Sequence, residues 1–227
     1  MTKTQDLRPK TRGVAAIVLA AGHSRRMGAF KPLLPFGNKT VIETCIDHLR
    51  MGGVETIVVV LGHQANLMRE HLQDLSLSFA LNPDPESEMS ASIGCGVKQL
   101  PQETRAVLIA LTDHPAVGPE VISTIINCWK AGAKLVIPEY GARGGHPVLI
   151  DLGFRDQLLQ LDPEHGLRSL FDAHRAQVQR ISVSSPFIAR DMDTWDDYRA
   201  LHEEVFGMAP PPDSASRLHP PNNATKL

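Results

Sequence analysis

The chain of 227 residues carries a formal net charge of −2 at pH 7 and is 42% hydrophobic and 21% charged. Such a length and apolar share suit one domain with its own core, with or without a tail. The near balance of charge gives no electrostatic case for a nucleic-acid or membrane partner, so any anion must be bound locally.

Residues 1–13 are polar and charged and read as a flexible N-terminus. The apolar run Val14–Ala20 is too short to cross a bilayer or to form a signal-peptide core, which predicts a cytoplasmic protein. From there short β-rich runs alternate with helical patterns, the mark of a parallel sheet covered by helices, here in a single domain over 14–207. The strand-like runs are Val14–Ala20, Thr56–Leu61, 77–81, Ala106–Leu111 and 134–137, with 147–150 and 177–183 later. Between the first two, Thr40 and Glu43 form a candidate capping box. Val41, Ile42, Cys45, Ile46 and Leu49 make one apolar face there, and Gly52 and Gly53 stop the helix. Further helical patterns cover 64–72, start near Ser90 and at Pro119, and occupy 154–160 and 167–176. The looser region after Ile150 is where the second substrate is expected. Residues 208–227 hold five prolines and no periodicity, and read as a disordered tail. Cys45, Cys95 and Cys128 are far apart without a C-x-x-C pair, supporting neither a disulfide framework nor a zinc site, and read as small buried residues.

The stretch 17–35, IVLAAGHSRRMGAFKPLLP, turns a buried strand into a basic, glycine-containing loop. Ala20, Ala21 and Gly22 have little or no side chain, so their N–H groups can approach a phosphate together. Arg25, Arg26 and Lys31 follow, the arginines as planar forks of donors and the lysine as a compact charge. Neither G-x-x-x-x-G-K-[ST] nor G-x-G-x-x-G is present. A strand-to-helix turn with solvated charges is the bland alternative, and the Ala-Ala-Gly turn with its basic residues favours phosphate binding.

This stretch resembles the signature L-A-A-G-x-S-x-R-M-G-x-x-K-x-L-L-P of the molybdenum cofactor nucleotidyltransferases, most closely their cytidylyltransferase branch. The resemblance implies a Rossmann-like α/β fold, a mostly parallel sheet with helices on both faces as in nucleotide-diphospho-sugar transferases. It also implies a nucleoside triphosphate and Mg2+, with the nucleotide held by Leu19, Ala20, Ala21, Gly22, Ser24, Arg26 and Lys31.

Three later stretches carry candidate chemistry. The strand 108–111 runs through Thr112 to Asp113 at a carboxyl end, where ligands of open α/β sheets bind. A carboxylate there can hold a hard cation or cap a helix; similarity to the family's D-x-P step favours metal. Asp193 lies in R-D-M-D-T-W-D-D-Y, which resembles the family's D-x-D-T-P-x-D-Y with Trp195 in place of proline. The resemblance makes Asp193 the second metal position, against a competing role as a helix N-terminal charge. The stretch 82–96 resembles the family's substrate loop, with Glu88 where glycine is usual. Its serines Ser90 and Ser92 mark a helix start suited to an anion, and Asn82 is a candidate base contact.

Gly144, Gly145, His146 and Pro147 resemble the family's G-x-x-G-H-P loop. Gly145 would let backbone approach the second substrate and His146 would offer a hydrogen bond or charge to phosphate; a hairpin turn is the alternative. A transition-metal set of His63, His114 and His146 matches no zinc spacing.

Nucleotidyl transfer suits this inventory. A phosphate nucleophile, with a second pKa of about 6, is already ionised near neutrality and needs no general base. What remains is charge neutralisation by Arg26, Lys31 and a cation on Asp113. The resemblance implies transfer of CMP from CTP to molybdopterin-bound molybdenum cofactor with release of pyrophosphate. Guanylyl, sugar-phosphate or other small-phosphate transfer remains open. So does a non-catalytic nucleotide-binding partner that serves a molybdoenzyme or its chaperone, although Lys31, Asp113 and Asp193 together argue against it.

Overall fold

The central strand is Val14–Ala20 (β1), whose seven residues are all buried. Alternate side chains enter two cores: Val14, Ala16, Val18 and Ala20 face one, and Ala15, Ile17 and Leu19 the other. That two-sided burial is why β1 reads as an unbroken apolar run rather than an alternating one. The computed structural model describes residues 13–22, 27–84 and 86–211. Of the N-terminal segment 1–13 and the tail 208–227 read from composition, residues 1–12 and 212–227 lie outside them, as do Ser24, Arg25 and Arg26.

After a hairpin of Pro35–Phe36 (β2) and Lys39–Thr40 (β3) come α1 (Val41–Met51), β4 (Thr56–Leu61), α2 (Ala65–His71) and β5 (Ser78–Leu81). Then follow α3 (Met89–Lys98), β6 (Ala106–Leu111), α4 (Pro119–Lys130), β7 (Leu135–Tyr140), β8 (Arg143–Gly144) and β9 (Val148–Asp151). The chain closes with α5 (Arg155–Leu159), α6 (Leu167–Ala173), β10 (Val178–Ser182) and α7 (Trp195–Phe206). The capping box at α1 is formed as expected, with Thr40 accepting from the Glu43 N–H and Glu43 answering the Thr40 backbone, and the five anticipated apolar residues are buried.

Among the described residues the main sheet runs β10-β7-β9-β6-β1-β4-β5. β1 pairs in parallel with β4 and β6, β4 with β5, and β10 with β7. Side chains of α1, α2 and α4 cover one face, through Ile46, Met68 and Ile125; those of α3, α5 and α6 cover the other, through Ile93, Leu158 and Leu170. β9 departs from the parallel rule and runs antiparallel to both β6 and β7. The reversal follows the β7–β8 hairpin, whose two-residue turn Gly141–Ala142 has φ of 53° and 63°, matching the twist of paired strands.

Two expectations need correction. The helical pattern 154–160 is a 3-10 turn at Leu152–Phe154 followed by the five-residue α5. Only Cys45 is buried, while Cys95 and Cys128 are half-buried. No helix among the described residues is long and apolar enough to cross a membrane.

Candidate active site

The carboxyl ends of β1 and β6 open onto a cleft of about 260 Å³ lined by Leu19, Ala20, Ala21 and Gly22 on one side and Leu111, Thr112 and Asp113 on the other. Two contacts, neither anticipated from sequence, shape that floor. The Thr112 hydroxyl donates to the Leu19 carbonyl at 3.1 Å, tying the two strand ends together. Gly62, just past β4, packs so closely that a Cβ there would stand 2.8 Å from the Ala21 oxygen. At Gly22 an added Cβ would meet no described atom within 4 Å, so the backbone here faces open space.

Lys31 enters the cleft from a 3-10 turn stiffened by Pro32, and its Nζ lies 2.8 Å from Asp193 Oδ1. The lysine side chain is 12% exposed, so this pair is less screened than a surface bridge. Asp193 is not the cap of α7. Thr194 caps it and Asp197 completes a capping box, so the helix forms without the family's proline.

Asp113 does not cap a helix either, since α4 begins behind Gly118 with no side-chain cap. Its side chain is 32% exposed, yet Oδ1 is buried with no hydrogen-bond partner. Burial raises the Asp113 pKa; the charges of His114 and Lys31 oppose that, and Asp193 adds to it. A buried carboxylate oxygen with no hydrogen bond and only the His114 ring 3.6 Å away, with a second carboxylate acting on it, fits a hard divalent cation. Among the described residues no three His, Cys, Asp or Glu side chains gather to hold a metal. A His63, His114 and His146 set is therefore not formed.

The 82–96 stretch behaves differently from its reading. Asn82 lines the cleft but is 5% exposed; its amide donates to Ser87 Oγ and Ser92 Oγ at 2.9 Å each and accepts from the Asp84 N–H. With both amide hydrogens committed in this way, Asn82 braces the loop, and only the remaining lone pair of its Oδ1 is left for a base. Ser92 and Ser87 reach the cleft, whereas buried Ser90 does not line it.

Gly145 and His146 are also corrected. The Gly145 N–H donates to the Pro138 carbonyl and the His146 N–H to Ile188, and a Cβ on Gly145 would lie 2.1 Å from the Ile188 oxygen. Glycine is therefore needed for backbone packing against residues 186–189. The His146 ring lines a separate cavity of about 20 Å³ with Cys45, His48 and His114. Burial, with the nearby His114 charge, pushes its pKa down to about 4, so it is neutral near pH 7 and brings no charge to a phosphate.

This group makes stability pH-dependent. A histidine with a pKa of about 6.5 unfolded and about 4 folded disfavours the native state once protonated. Its contribution is fully present above pH 6.5 and declines as pH falls toward 4, by about 3 kcal/mol in all. Urea denaturation at pH 7.5 and 5 should show a larger loss in the native protein than in His146→Gln. Equal losses would contradict the burial of a neutral imidazole.

The MobA-like NTP transferase domain family matches residues 16–178 of this sequence. The chain belongs to that family. As a MobA-like nucleotidyltransferase it has the mixed α/β architecture of the nucleotide-diphospho-sugar transferase fold. It is 25% identical over 193 residues to the molybdenum cofactor cytidylyltransferase of Escherichia coli (strain K12), spanning 84% of this chain and 96% of the relative. It is 26% identical over 198 residues to the nicotine blue oxidoreductase of Paenarthrobacter nicotinovorans, spanning 83% and 96%. The manganese complex of Rv0371c from Mycobacterium tuberculosis H37Rv is 27% identical, with a TM-score of 0.73 over 86% of this chain and all of that one. The family match ends at residue 178, so Asp193, the partner of Lys31, lies beyond it in sequence.

Proposed function

We propose that this MobA-like nucleotidyltransferase uses residues 14–207 to transfer CMP from CTP to a molybdopterin-bound molybdenum cofactor and release pyrophosphate. The observation that carries the reading is the meeting of Lys31, Asp113 and Asp193 beside the Ala20–Gly22 turn at the carboxyl ends of β1 and β6. An ionised phosphate oxygen of the acceptor attacks the α-phosphorus of CTP, and the bond from that phosphorus to the bridging oxygen of pyrophosphate breaks. The backbone from Leu19 to Gly22 would hold the triphosphate, with Ser24 and Arg26 added on the sequence reading. Lys31 and Arg26 would neutralise charge as it builds on the α-phosphate and leaving group. Asp113 and Asp193 would hold Mg2+, which when bound supplies charge neutralisation to the phosphates. Ser92, held by Asn82, shapes the wall facing the turn. The acceptor would be met by the region after Ile150, as the sequence reading has it, and its product would pass to a molybdoenzyme or its chaperone.

Support for the cytidylyl choice comes from Ala21 and the run Leu33, Leu34 and Pro35, which resemble that branch, and from the Escherichia coli relative. Triphosphate and metal contacts are the same for every nucleotide, so selection must come from the base edge, where unmatched donors and acceptors are costly. Titration with CTP, GTP, ATP and UTP at fixed Mg2+, then pyrophosphate release with the molybdenum cofactor, should favour CTP. A preference for GTP would replace the cytidylyl reading with a guanylyl one. Absence of triphosphate binding would remove both. Pyrophosphate release also separates this reading from a redox one, suggested by the oxidoreductase relative, which would yield none.

A further inference from the structure

Lys31 sits in the middle of a segment, 27–35, that is bonded at both ends to the first turn of α7. The Trp195 Nε1–H donates to the Met27 carbonyl at 2.9 Å, across 168 residues of sequence. The Tyr198 hydroxyl donates to the Pro35 carbonyl at 2.6 Å. Residues three apart on a helix share a face, and these two rings meet edge to face with centroids 5.8 Å apart. They pack with Met27, Ala29, Leu34 and Met192 in a core cluster of their own. The outer side of the indole lies 6.0 Å from the Arg199 guanidinium.

The helix itself does not require tryptophan. Its start is supplied by Thr194 and Asp197, and the first helical position accepts proline, the residue the resembling pattern carries. The indole N–H therefore serves a long-range contact, joining the far end of the basic loop to the residues that follow Asp193. We infer that Trp195 is a positioning residue of the nucleotide site, holding Met27 so that Lys31 and Asp193 stay in register. Its functional part rests on the nucleotide reading above, and its structural part does not. Order built in before binding is not charged against affinity. The effect thus falls on nucleotide KM rather than on kcat.

The test uses Trp195→Phe, which keeps a ring and loses the donor, with Trp195→Pro as a second variant and Trp129→Phe as control. Trp129 bonds Asp151, away from the cleft. Hydrogen exchange is followed over 27–36, where the Leu33 and Leu34 amides bond the Phe30 and Lys31 carbonyls at 3.1 and 3.0 Å. Exchange there should quicken in both Trp195 variants and not in Trp129→Phe, with α1 unchanged. KM for CTP should rise about three- to tenfold, the range for one lost hydrogen bond, with kcat held within about twofold. Unchanged exchange over 27–36 overturns the tether, and faster exchange with unchanged KM overturns its positioning role. If the native protein binds no nucleoside triphosphate, the nucleotide reading falls, and exchange alone still decides the tether.

Discussion

Asp113→Asn is expected to cut pyrophosphate release by about a hundredfold or more, equivalent to roughly 2.7 kcal/mol of transition-state stabilisation. The substitution keeps the shape of the side chain and removes the charge that would hold a divalent cation. Misfolding should not confuse the result. Burial already works against the Asp113 carboxylate and its Oδ1 has no hydrogen-bond partner, so a neutral amide relieves a charged group that the fold disfavours. Thermal unfolding of the variant should therefore start no earlier than in the native protein. Native-like turnover would remove Asp113 from the chemistry, and with it the reason for placing a metal at the end of β6.

Lys31→Ala should lower kcat/KM at least about tenfold, or roughly 1.4 kcal/mol. Two losses combine: the triphosphate loses a cation, and Asp193 loses the partner that stands 2.8 Å away. There is also a signature in the pH profile. The Lys31 charge pulls the Asp113 pKa down against the effect of burial. Without it, Asp113 should hold its proton to higher pH, and the acid limb of kcat/KM should move upward in the variant. A profile and rate identical to the native protein would make Lys31 a loop charge with no part in transfer.

Much of this architecture is local and therefore legible in the chain itself. β1, β4 and β6 begin and end where their apolar runs do, because strands buried on both faces need no alternation to mark them. The Thr40 and Glu43 box is visible because capping acts across three residues. The Ala20–Gly22 turn and Asp113 were legible as strand ends for the same reason, and both line the cleft. Other features depend on contacts between distant parts. Lys31 and Asp193 are 162 residues apart, and no periodicity announces that they meet. Asn82 reads as a base contact, and only the folded loop shows that both its amide hydrogens go to Ser87 and Ser92. His146 read as a hydrogen-bond donor or charge for phosphate, and burial beside His114 removes the charge, while Gly145 proved necessary for a backbone contact with Ile188. The sequence determined the strands, the caps and the kinds of group at the strand ends, since those follow from neighbouring residues. The tertiary structure alone decided which groups share the cleft and which keep their charge, because pairing and desolvation depend on what the fold brings alongside.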